Sequence, residues 1–242
     1  MATDAKPKLT SVEAALTLGE MKITGRLVDA TNATLMVNVV EGENEIVCVY
    51  KPIAGERPLW DFSTGTLAHR ELAAYLVSSL GNFGVVPLTI LRDGPYGEGM
   101  VQQWINIDES LDMWEFFRGD EPPLRNIALF DAVINNTDRK IGHLLPNIHG
   151  KVYGCDHGVT FHPQDKLRTV LWQWAGQPLS ASEVSQLQDL RNLLSHSLGE
   201  MLLPLLSTAE LASLEMRLER LLTLQTFPVP SNEWPSVPWP PF

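Results

Sequence analysis

With 242 residues, 44% hydrophobic and 19% charged, the chain is long enough to bury one large core or two smaller ones. Its formal charge of −11 argues against sequence-independent binding to nucleic acid or an anionic membrane, both of which want clustered Lys and Arg. No apolar run reaches the ~18 residues that span a bilayer, and the opening MATDAKPKLT lacks a signal core.

Cys48 and Cys155 lie far apart and match no zinc spacing, which points to two reduced thiols in a cytoplasmic protein. In chain order, residues 11–19 read as a short helix. MKITGRLV and ATLMVNVV alternate as strands around a turn at Asp29, Thr31 and Asn32, and EIVCVYK follows as a third strand. Leu72, Tyr75, Leu76 and Leu80 keep helical spacing across residues 67–80, and Gly81 stops that helix. VVPLTILRD and GMVQQWINI form a predicted hairpin around Asp93-Gly94-Pro95.

From Ser110 the pattern turns helical. Short helices are predicted over 111–117 and 124–134, the second apolar at Ile127, Phe130 and Ile134. Ser180–Glu183 and Ser207–Glu210 fit capping boxes. Behind the first, Val184, Leu187, Leu194 and Leu198 form one buried stripe; behind the second, Leu211, Leu214, Leu218 and Leu221 form another. The tail FPVPSNEWPSVPWPPF is too proline-rich for helix or sheet and is expected to run extended, docked on the helical part or else bound in a groove of a partner. A β-rich front and a helical back predict an α+β chain with a cleft between lobes: a sheet lobe with one helix over 1–104, a helical lobe over 105–226, and the tail over 227–242.

Four features carry chemistry. Lys51 ends its strand on the same side as Val47 and Val49, either reaching for water or gripping phosphate oxygens. Glu71 lies on or beside the buried face of its helix and needs a partner, for which Lys51 is the expected residue. The polar run Asn135-Asn136-Thr137-Asp138-Arg139, pinned between Ile134 and Leu144-Leu145, is either a capped turn or a loop presenting Asp138 as a base for phosphoryl transfer. Asp156, at the end of a short strand before Gly158, is either a turn residue or a magnesium ligand.

In this order and spacing, the four features resemble the phosphatidylinositol 3-/4-kinase superfamily and a small bacterial kinase-like branch of it. The resemblance implies a two-lobed kinase-like fold that binds ATP with Mg²⁺ or Mn²⁺. Lys51 is then similar to the phosphate-binding lysine and Glu71 to its helix partner. Asn136–Arg139 looks like the catalytic loop with Asp138 as catalytic aspartate and Arg139 beside it, and Asp156-His157-Gly158 like the metal-binding triplet. Val49 would line the adenine pocket, and Val101–Trp104, with Gln102, Gln103 and Trp104, would form the hinge whose backbone pairs with adenine. His143 stands where the family carries an Asn as second metal ligand; as a softer donor it would favour manganese, or mark a pseudokinase. The loop preceding the second strand has no glycine; Thr31, Asn32 and Thr34 would either supply its hydrogen bonds to phosphate or simply make the turn. The implied function is transfer of the γ-phosphate to a protein, itself included, or to a small molecule; a nucleotide-binding pseudokinase scaffold and a lipid kinase are the alternatives.

Overall fold

A computed structural model describes residues 11–27 and 32–242; the expected turn at Asp29 and Thr31 and the first ten residues lie outside the described residues. The elements are α1 (Ser11–Leu18), β1 (Glu20–Arg26), β2 (Leu35–Glu41), β3 (Asn44–Pro52), α2 (Leu67–Leu80), β4 (Thr89–Gly94), β5 (Gly97–Gln103), α3 (Met113–Phe116), α4 (Pro122–Ile134), β6 (Leu144–Pro146), β7 (Val152–Gly154), α5 (Ala181–Leu194), α6 (Ser197–Leu202) and α7 (Thr208–Leu224). The architecture is α+β, with an antiparallel sheet in one compact unit and mainly helices in the other. Among the described residues no helix is long and apolar enough to cross a membrane.

The sheet unit comprises residues 1–57 and 88–104. Its five strands run in the order β1-β2-β3-β5-β4, every neighbour antiparallel. Period-two alternation sends Leu35, Val37 and Val39 of β2 and Cys48 and Tyr50 of β3 to one face, where Leu16 of α1 completes the core. The Tyr50 ring fixes the β4–β5 hairpin from beneath: its hydroxyl donates to the Gly97 carbonyl at 2.5 Å. A Cβ at Gly94 or Gly99 would meet that ring at 2.7 Å, so both positions need the bare backbone. Burial pushes the Cys48 thiol up to about 12, which leaves it an inert packing group.

The second unit comprises residues 58–87 and 105–242. The helix α2, expected in the sheet lobe, groups with this unit because Ala73, Ala74 and Val77 are buried in its core, and it packs on α5 and α6. Helix α4 is buried along nearly its whole length. Both expected capping boxes form, and each glutamate has a second use: Glu183 pairs with Arg125 at 2.7 Å, and Glu210 with the buried Arg70. The single stripe expected from Val184 to Leu198 is instead divided between α5 and α6. At the break, the Ser195 hydroxyl and the His196 ring bond the carbonyls of Arg191 and Asn192, each four residues back.

The tail forms neither helix nor strand and lies on this same unit. The Ser236 carbonyl accepts from the Thr169 amide at 3.0 Å and from the Trp172 indole at 2.9 Å, and Pro241 accepts from the Ile141 amide at 2.8 Å. Trp174 is buried against Phe227.

Candidate active site

The site is built in the helical unit, where α4 ends. Asn135 adopts a left-handed backbone (φ 52°) that stops the helix. Its side chain donates to the carbonyls of His162 and Gln164 and accepts from the Lys166 amide at 3.0 Å, tying the loop to the segment after Asp156. The Asp138 amide then donates to Asn136 Oδ1 at 3.0 Å, a local turn that presents the Asp138 carboxylate outward. Thr137 donates through both its amide and its hydroxyl to the Val159 carbonyl.

Arg139, expected among the catalytic residues, is 0% exposed and is spent on holding the loop. Its guanidinium bonds both oxygens of the fully buried Asp131, at 2.8 and 2.9 Å, and Asn136 Nδ2 donates to the same carboxylate. Nη1 donates to the carbonyls of His143 and Cys155 at 3.3 and 3.0 Å, so one side chain joins the loop to the end of β7. Gly154 makes room for it; a Cβ there would lie 3.0 Å from Nη1. Burial works against the Arg139 charge, but Asp131, helped by Cys155 and Asp156, offsets it and the pKa is raised.

The same guanidinium reaches His157 Nε2 at 2.7 Å. Arginine can only donate, so Nε2 accepts and the neutral ring carries its hydrogen on Nδ1, 4.0 Å from the Glu71 carboxylate. Glu71, itself buried, accepts from the His157 amide at 3.0 Å. Glu71 thus anchors the loop that follows Asp156.

On this buried scaffold stand two carboxylates that water reaches, with side chains 32% exposed for Asp138 and 54% for Asp156. Asp156 adopts φ +63°, a left-handed conformation that Asp tolerates better than most residues. Lys140 Nζ lies 3.3 Å from Asp138, and His143 Nε2 lies 3.5 Å from Asp156. Burial raises the Asp138 pKa and the Asp156 charge adds to the shift, while Lys140 and Arg168 oppose it. Among the described residues no three His, Cys, Asp or Glu side chains converge as a metal cage. A pair of carboxylates nonetheless suits magnesium, which is usually held by one or two carboxylates together with substrate phosphates.

The other expected residues belong to the sheet unit. Lys51 and Val49 are half-buried on the face of β3 opposite Cys48 and Tyr50, with Lys51 in register with Met100. Gln102 is buried and donates to Thr89 Oγ1 at 2.9 Å. The amides of Gln103 and Trp104, expected to face adenine, donate to the carbonyls of Leu88 and Val47 within the unit. Asn32 accepts from the Arg57 amide at 2.8 Å, and Thr34 is buried. The sequence reading overlooked Asp131, although a carboxylate inside the apolar run LFDAVI signals a buried partner.

Two polar loops tied together by buried charge, each offering a water-accessible carboxylate, define a candidate acid–base or metal-assisted site on an α+β scaffold. No protein-family model matches the chain. It is 39% identical over 264 residues to Protein Rv2133c of Mycobacterium tuberculosis, covering 95% of each chain, and it belongs to the same family as that protein. Among solved structures, the crystal structure of a Helicobacter pylori proinflammatory kinase, CtkA, is 11% identical and covers 88% of this chain and 94% of its own, with a TM-score of 0.45.

Proposed function

We propose that the chain is an ATP-dependent phosphotransferase of kinase type, acting on a protein, itself included, or on a small molecule. The observation that carries this reading is the pair Asp138 and Asp156, kept accessible while Arg139, Asp131, His157 and Glu71 are buried beneath them. Burying four ionisable groups to fix two short loops is a costly way to make a turn, and a reasonable way to preorganise reacting groups. Asp138 is the base: its carboxylate accepts the proton of the attacking hydroxyl as that oxygen bonds to the γ-phosphorus and the bond to ADP breaks. Lys140, beside it, offsets the charge that gathers there. Asp156 would hold a divalent ion, which when bound neutralises phosphate charge. Lys51 is assigned to the phosphates from its place in the sequence pattern, and Glu71 also braces the His157 backbone.

A nucleotide-binding pseudokinase has one observation in its favour. His143 Nδ1 accepts from the Lys140 amide at 3.4 Å, so the neutral ring carries its hydrogen on Nε2, the atom that faces Asp156. In that tautomer Nε2–H faces Asp156 at 3.5 Å and offers no lone pair to a metal. Equilibrium dialysis of ATP with and without Mg²⁺ or Mn²⁺ tests the shared part of both readings. Binding that needs the metal and is lost in Asp156→Ala supports them; metal-independent binding, or none, rejects the site.

A further inference from the structure

The proline-rich tail reaches the phosphotransfer site. Lys140 and His143, which stand beside Asp138 and Asp156, belong to one short turn. The His143 amide donates to the Lys140 carbonyl at 3.2 Å, and the Lys140 amide to His143 Nδ1 at 3.4 Å. The His143 carbonyl ties this turn to the rest of the site, accepting from the Cys155 amide at 3.1 Å and from Arg139. A second tie runs to the tail, where the Ile141 amide donates to the Pro241 carbonyl at 2.8 Å. Ile141 is 0% exposed, so its amide needs that acceptor. We propose that Phe242 is a positioning residue for this site: seated on Trp114, it keeps the Pro241 carbonyl on Ile141 and so holds Lys140 and His143 beside the two carboxylates. Its effect on transfer rests on the phosphotransfer reading; the geometry does not.

A proline-rich segment makes few backbone bonds of its own, so its course is set by where it is anchored. One anchor is Ser236, whose carbonyl accepts from Thr169 and Trp172. Trp239, 85% exposed, gives little hold beyond it. Phe242 supplies the next: it stacks on Trp114 with ring centroids 5.9 Å apart and planes 26° from parallel. The same ring lies over Gly142, where an added Cβ would come to 3.6 Å of it. Gly142 is part of the turn, so one side chain joins the turn to α3. Trp114 is fixed in its own right, its amide donating to Asp112 Oδ1 at 2.9 Å and its ring meeting Phe117 edge-on. Two ties set the direction of a turn, whereas one leaves it freer to pivot. A movement of about 1 Å at Lys140 is enough to matter for a contact of 3.3 Å with Asp138.

The test compares the full chain with Phe242→Ala, Phe242→Tyr, Trp114→Ala and, as a control, Val229→Ala, an exposed tail residue. Phe242 and Trp114 are 54% and 46% exposed, so truncating either leaves the core intact. Hydrogen exchange followed by NMR should show the Ile141 amide exchanging about threefold faster or more in Phe242→Ala and Trp114→Ala, with the buried amides of α4 unchanged. Carboxyl ¹³C NMR should show the titration midpoint of Asp138 moving up in both. Burial and Asp156 push that midpoint up and Lys140 and Arg168 push it down, so loosening Lys140 weakens the opposition. In a Lys140→Met background Phe242→Ala should move the midpoint no further, a lack of additivity that a merely stabilising tail would not produce. Phe242→Tyr should restore both readings, and Val229→Ala should match the wild type. With labelled ATP, Phe242→Ala should slow transfer about tenfold at unchanged KM for ATP. An Asp138 midpoint that stays in place in Phe242→Ala, or that moves equally in the Lys140→Met background, would overturn the proposal. Absence of transfer from the wild type counts against the phosphotransfer reading instead, and the exchange and titration results still decide the role of Phe242.

Discussion

Replacing Arg139 with Met removes the cation from the centre of the site while keeping a side chain of similar reach. Asp131 would then stay buried as a carboxylate with Asn136 as its remaining named donor, and the carbonyls of His143 and Cys155 would lose a shared one. Breaking a buried pair from one side costs about 3–5 kcal/mol, because the other charge is left uncompensated. About 4 kcal/mol lowers the melting temperature of a protein of this size by about 12 °C. Against a typical total stability of about 5–15 kcal/mol, this leaves about 1–11 kcal/mol, so the variant should still fold. Asp131→Leu alone should cost as much, whereas the double variant Arg139→Met/Asp131→Leu should recover most of the loss, since apolar groups can replace a buried pair at little cost. Thermal unfolding followed by near-ultraviolet circular dichroism measures all four proteins. A fall of under about 3 °C in Arg139→Met, or a double variant less stable than both singles, would refute the assignment of Arg139 as the tie between the two loops.

Gly154→Ala should act through the same group: its Cβ would press on the guanidinium at 3.0 Å, lowering the melting temperature by several degrees and slowing any turnover without changing metal preference. Asp138→Asn should abolish transfer yet raise the melting temperature at neutral pH. The folded-state pKa of Asp138 is raised, so ionising it costs stability as pH rises, and melting curves should show the gain of the variant vanish as pH falls below the ordinary carboxylate range. Ser180→Ala removes one side of a capping box and should cost about 1 kcal/mol, readable by urea denaturation, with little effect on the site.

Much of the fold is written in local patterns. The alternation of LMVNVV and the capping serines at 180 and 207 predict strands and helix starts that the structure contains, because short-range geometry decides them. The division at Ser195-His196 escaped because an uninterrupted leucine stripe masks side chains that compete for helix carbonyls. At the site, Asp138 and Asp156 are legible from the loop chemistry around them. The work of Arg139 and Glu71 is not, since both are held by partners distant in sequence: Cys155 for Arg139, and His157 for Glu71. Periodicity placed Glu71 at a buried face and suggested Lys51 as its partner, but gave no sign of the His157 amide it accepts from. Likewise, the resemblance placed Arg139 beside the chemistry without showing that its guanidinium is fully buried against Asp131.

Incubation of purified protein with γ-labelled ATP and Mg²⁺ or Mn²⁺ tests the phosphotransfer reading most directly, with wild type, Asp138→Asn and Asp156→Ala compared for protein labelling and ATP consumption. The account expects label or turnover in the wild type and none in either variant. Turnover that survives both substitutions, or a wild type that neither consumes nor binds the nucleotide, would contradict it.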